Sequence, residues 1–156
     1  MPDEDSVTGH QREIGTCAFC AIVAGTESAD RVYETDEVLA FLPLAPATPG
    51  HTLIVPKAHV TDLWHANMAT LAPVMEATLE VSAALRRAFD PDGLNLINSA
   101  GAAATQTVFH IHFHLVPRWD GDGIADLWPD REELPPGERA EIAEKIRRCV
   151  SAAGSR

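Results

Sequence analysis

Three histidines alternate with apolar residues in His110-Ile111-His112-Phe113-His114-Leu115-Val116. In an extended chain, successive side chains point to opposite faces. The alternation therefore predicts a strand, over 107–116, that sends Ile111, Phe113 and Leu115 into a core. Its other face carries the three imidazoles, because three core-facing histidines would be costly to bury. At strand rise the first and third rings stand about 13 Å apart. That is too far for one metal with bonds of about 2 Å. The three histidines need separate tasks.

A chain of 156 residues is of single-domain size and large enough for a real core. Net charge is −11, and no basic stripe is present. Duplex nucleic acid is thereby excluded as a partner, because phosphate neutralisation needs clustered Lys and Arg. A small, enclosed phosphate remains compatible, since backbone N–H groups can hold it without net positive charge. No run of about 18 apolar residues predicts a membrane span. Residues 1–15, with Asp3, Glu4 and Asp5, read as a disordered tail unlike a signal peptide. Three cysteines, an odd count, argue against a disulfide framework and point to the cytoplasm.

Cys17 to Ala24 reads as a short helical turn ended by Gly25. Arg31–Glu34 and Val38–Leu42 read as strands joined by a turn, and His51–Val55 as a β-branched run stopped by Pro56. Met68 to Phe89 carries a helical period through Leu71, Val74, Met75, Thr78, Val81, Leu85 and Phe89. Thr70 is the expected N-cap, with Pro73 in the first turn. Leu94–Ile97 is a strand, followed by a small-residue loop and by the histidine strand, ended at Pro117. Gly137–Ser151 is a helix with Ile142, Ile146 and Val150 on one face. Strands linked mostly by short turns, with one long helix inserted, give an α+β class with an antiparallel sheet.

The loop Ala100–Thr107 allows close approach of a ligand to the backbone. Gln106 and Thr107 add donors suited to phosphate oxygens. A neutral imidazole is a competent nucleophile near pH 7. His112, central in the array, is the candidate that attacks phosphorus to form a phosphohistidine, with the loop donors and His114 stabilising charge on the phosphoryl oxygens. Cys17-Ala18-Phe19-Cys20 spaces two thiolates for tetrahedral zinc. His51, His59 and His110 are candidates for the remaining ligands, and two unligated buried cysteines are the alternative. A redox role fits less well, because a polar tail rather than a buried strand precedes the motif. Cys149 is a small core residue.

In four segments the chain resembles the histidine-triad (HIT) family of nucleotide hydrolases and transferases. These are Cys17–Gly25, Val38–Phe41, Pro49–His59 and Gln106–Pro117, in the family's order. The resemblance implies a HIT domain over 16–130, followed by a C-terminal helix and tail over 131–156. It implies a five-stranded antiparallel sheet continued across a homodimer. The implied activity is hydrolysis or transfer at the α-phosphate of an adenosine-type nucleotide, such as a dinucleoside polyphosphate or a nucleoside phosphoramidate. By position, His112 matches the residue that becomes nucleotidylated, and His114 assists it. Phe41, Leu44, His51, Ser99, Gln106 and Thr107 match substrate-binding positions. Zinc-containing bacterial members are most similar, and they imply a structural Zn2+ on Cys17, Cys20, His59 and His110.

Three departures stand out. Pro43 replaces a common Asp that binds ribose hydroxyls, Ser99 replaces an Asn, and Thr105 replaces a Gly before Gln106. They imply a changed substrate preference or weakened nucleotide affinity. The alternative function is a zinc-stabilised nucleotide-binding or interaction module with little turnover. A cupin-like oxygenase lacks its glutamate after the paired histidines, and a zinc deaminase lacks its His-x-Glu motif. Trp119 to Trp128 reads as a loop at the pocket mouth, the dimer edge or a packing anchor.

Overall fold

Short runs of apolar and β-branched residues, cut off by Gly, Pro and Asp, form five strands: β1 (Arg31–Glu34), β2 (Val38–Phe41), β3 (Thr52–Pro56), β4 (Gly93–Ile97) and β5 (Phe113–Arg118). They pair antiparallel in one sheet, in the order β1-β2-β3-β5-β4. The computed structural model describes residues 17–124 and 132–153. The expected tail over 1–15, the boundary near 130 and Trp128 lie outside them. The helices are α1 (Ala18–Ala24), α2 (Met68–Phe89) and α3 (Pro136–Ala153). The α+β antiparallel class holds, with α2, of 22 residues, as the long helix inserted among the strands and α3, of 18, as the expected C-terminal helix.

Strand alternation divides the side chains between two cores. Ala40, Ile54, Phe113 and Leu115 meet Val74, Val81 and Leu85 of α2 and Ile146 of α3. Leu39, Phe41, Leu53 and Val55 face the other way and pack with Phe19 of α1. By length and composition α2 would be apolar enough to cross a membrane. Its inner stripe instead packs on the sheet, while Glu76 and Glu80 are exposed.

Three local expectations need correction. The histidine strand does not run over 107–116; β5 begins at Phe113. Its ladders start at Ile54↔Phe113 and Ile97↔His114, and no strand lies opposite the residues before them. There, Ile111 N–H donates to Val60 O, and Asn98 Nδ2 donates to the His112 carbonyl. The facing nevertheless holds, with Ile111, Phe113 and Leu115 all in the first core. Second, β5 passes through Pro117 instead of ending there. The Pro117 carbonyl accepts from Thr48 Oγ1, on the side where β3 has already turned away, so the missing N–H breaks no ladder bond. Third, the cap of α2 is Asn67, not Thr70: Asn67 Oδ1 accepts from Thr70 N at 3.0 Å. Pro73 therefore lies inside the helix rather than in its first turn.

Two backbone positions shape the approach to the histidines. Gly50 has φ +85°, and a Cβ there would stand 2.9 Å from Phe89 Cε2, so the turn into His51 requires glycine. Thr105 has φ 70°. A left-handed, β-branched residue carries strain of about 1–2 kcal/mol.

Candidate functional site

The two cysteines and two of the histidines converge on one point. Cys17 caps α1 and accepts from Cys20 N, which turns both thiols to the same side of the helix start. One donor atom from each of Cys17, Cys20, His59 and His110 lies within 4.8 Å of all the others. His110 Nδ1 is 3.5 Å from both Sγ atoms, and His59 Nδ1 is 3.2 Å from Cys20 Sγ. Zinc bond lengths of about 2.3 Å to sulfur and 2.05 Å to nitrogen give tetrahedral S···N edges of roughly 3.6 Å. The four donors are therefore spaced as ligands of one ion. His110 Nε2–H donates to the Pro56 carbonyl at 2.8 Å, which leaves the Nδ1 lone pair for metal. Burial, together with the hydrogen bond and charge of Cys17, pushes the Cys20 thiol up to about 11. Paired thiolates here call for a compensating cation. The set fits structural zinc, and His51 is not part of it.

His112 stands beside this cluster. Its ring is edge-on to Phe19, with centroids 5.0 Å apart, and it is buried. Nδ1–H donates to the backbone carbonyl of His110 at 2.7 Å. That bond fixes the tautomer and leaves the lone pair on Nε2. Burial lowers the His112 pKa, so the ring is neutral near pH 7.

A second pair fixes His114. The Ala47 N–H donates to His51 Nδ1 at 3.0 Å, and His51 Nε2 lies 2.9 Å from His114 Nδ1. With its Nδ1 accepting, a neutral His51 carries its proton on Nε2 and donates to His114. A neutral His114 then carries its own proton on Nε2. Its ring centroid is 4.9 Å from that of His112. The array thus presents one lone pair and one N–H side by side. Burial takes His51 to about 4, and burial with the neighbouring charges of His51 and His112 takes His114 to about 3.

These depressed values carry a sign. Below about pH 6.5 the unfolded chain binds protons that the folded rings refuse. The stability from His51 and His114 is therefore complete above pH 6.5 and is lost as pH falls toward 4. The expected loss between pH 7.5 and 5 is on the order of 2 kcal/mol per ring. Proton resonances of both rings should stay flat from pH 8 to 5; a midpoint near 6.5 for either ring would contradict the account.

The remaining predicted residues are distributed unevenly. Gln106 is buried, and its amide is spent within the chain: Oε1 accepts from Gly101 N, and Nε2 donates to the carbonyls of Thr61 and Val108. It braces the loop rather than offering free donors. Thr107 is exposed, and Ser99 is half-buried. Phe41 and Leu44 line a cavity of about 810 Å³ with Phe19, Ile22, Leu53 and Arg139. Phe41 pairs with Leu53, and Leu53 with His114. The cavity floor therefore begins one strand spacing, about 5 Å, from His114. Sequence reasoning did not single out Phe19, Asn98, Asp30 or Arg139. Only Phe19 carried a signal, as the aromatic inside the Cys-x-x-Cys segment.

Known proteins share this fold and sequence. The HIT domain family model matches residues 24–121. Protein hit of Bacillus subtilis is 35% identical over 138 residues, covering 87% of this chain and 95% of that protein. A Zn-bound histidine triad family protein from Mycobacterium smegmatis superposes with TM-score 0.79 at 37% identity, covering 90% of this chain and 97% of the other. A hypothetical histidine triad nucleotide-binding protein from Sulfolobus tokodaii gives 0.80 at 32% identity, with coverages of 87% and 93%.

Proposed function

Because this chain belongs to the HIT family, we propose that it binds a small nucleotide and cleaves or transfers it at the α-phosphate. His112 is the nucleophile. The observation that carries the reading is the 2.7 Å bond from His112 Nδ1–H to the His110 carbonyl, which leaves the lone pair on Nε2. Nε2 forms a bond to phosphorus as the bond to the leaving group breaks. The positive charge gained by the ring is met by the same carbonyl. His114 Nε2–H is placed to donate to a phosphoryl oxygen. Water then attacks phosphorus, the P–N bond breaks, and mononucleotide leaves. His51 sets the tautomer of His114. Phe41 and Leu44 flank the nucleoside, and Ser99, Gln106 and Thr107 shape the loop around the phosphate.

Zinc on Cys17, Cys20, His59 and His110 is structural in this reading, because four protein ligands leave no open position. When bound, it fixes the backbone whose carbonyl orients His112. Three free cysteines suit a reducing, cytoplasmic setting.

Incubation with adenosine and guanosine phosphoramidates and dinucleoside polyphosphates tests the function. Release of mononucleotide from at least one of them is expected. Failure with every member of the panel would favour the second reading, a zinc-stabilised nucleotide-binding module. One observation supports that second reading: the Gln106 amide is committed to Thr61, Val108 and Gly101.

A homodimer belongs to the same proposal. The outer edge of β4 has no strand partner among the described residues, and Leu94 and Leu96 are exposed on it. Pairing with a second β4 would protect that edge. Sedimentation equilibrium should return twice the chain mass, and a monomer at micromolar concentration would exclude the pairing.

A further inference from the structure

The cavity over Phe41 and Leu53 is largely apolar, but one wall is not. Asp30, just before β1, and Arg139, in the second turn of α3, both line it. Arg139 Nε donates to Asp30 Oδ2 at 3.0 Å, and Nη1 donates to the Leu134 carbonyl. Leu134 N–H in turn donates to the carbonyl of Leu44, at the cavity lip. The start of α3 is thereby stitched to the cavity rim, and the Arg139 side chain is only 13% exposed. Its Nη2 has no hydrogen-bond partner among the described residues, and no described side-chain nitrogen is both buried and unpartnered. Three of the five guanidinium N–H groups, one on Nη1 and two on Nη2, thus remain at this largely apolar wall.

The position relative to the histidines decides what these donors meet. The row Phe41–Leu53–His114 runs from the cavity floor to the reacting end. A nucleotide with its α-phosphate at His112 lays its base over Phe41 and Leu53, toward Arg139. Pro43, also in the wall, offers no acceptor or donor side chain. Arg139 is therefore the cation available to the base. The guanidinium edge that pairs an Nη1–H with an Nη2–H can match the adjacent O6 and N7 acceptors of guanine. Adenine sets an amino donor against it.

We infer that Arg139 is a specificity-determining residue that reads the base edge and favours a purine bearing oxygen at position 6. Asp30 acts through Arg139 as a positioning residue. This inference rests on the nucleotide-site reading above, but not on turnover.

The test is calorimetric titration of GMP and AMP into the full-length, zinc-loaded protein and into Arg139→Met, Arg139→Lys and Asp30→Asn. The wild type should prefer GMP by about tenfold or more. Both Arg139 variants should bring the ratio within about threefold of unity, because lysine keeps the charge but lacks the fork. Asp30→Asn should lower the ratio part of the way. A merely structural ion pair would change stability and leave the GMP:AMP ratio alone. That result, a preference for AMP, or no binding of either nucleotide would overturn the inference. Binding with the expected ratios but without turnover would remove the catalytic reading and support this one. Turnover with a ratio insensitive to Arg139 would do the reverse.

Discussion

His112→Ala lowers nucleotide turnover by on the order of 10⁴-fold or more while leaving the cavity able to bind. The size of the effect follows from the role. No neighbouring ring can replace Nε2 of His112: Nε2 of His110 is bonded to Pro56 O, and Nδ1 of His114 faces His51. His114→Ala removes a donor rather than the nucleophile, so its loss is expected nearer 10²–10³-fold. Steady-state release of mononucleotide from the best substrate distinguishes the two. Retention of a tenth or more of wild-type kcat/KM in His112→Ala would mean that another group carries the chemistry.

Cys20→Ser produces the second large effect. It removes stoichiometric zinc, measurable by plasma mass spectrometry, and lowers stability by several kcal/mol, because binding energy at a structural site is folding energy. For a chain of this size each kcal/mol is about 2–4 °C, so Tm should fall by roughly 10 °C or more. Turnover should fall as well, because the carbonyl that orients His112 belongs to His110, one of the four zinc-site donors. A variant that keeps one zinc per chain, or loses it without loss of Tm, would show that the four donors do not act as one structural site.

Much of this was legible in the chain because it depends on local alternation and spacing. The apolar-polar alternation of 110–116 predicted which side chains enter the core, and Ile111, Phe113 and Leu115 do so. That the three histidines need separate tasks follows from strand rise, whereas the assignment of each task comes from the resemblance to the HIT family. The strand boundary was not legible, because β5 begins only where β3 and β4 lie opposite it, and that is a property of distant segments. Thr70 met the rule for a cap, but Asn67, three residues earlier, took the position, and its Oδ1 accepts from Thr70 N. Gln106 illustrates the limit at the site itself. An amide beside a small-residue loop suggests a ligand contact, yet its partners Thr61 and Val108 are fixed only by the fold. Asp30 and Arg139 are separated by 109 residues and carry no pattern that joins them.

His112 Nε2 is the atom expected to form the covalent bond to phosphorus. Rapid acid-free quenching during turnover of a nucleoside phosphoramidate, followed by intact-mass and peptide mapping, tests it most directly. One nucleotidyl group per active chain is expected, located on His112 and absent from His112→Ala. Turnover with no adduct on any chain, or an adduct on His110 or His114 instead, would contradict it.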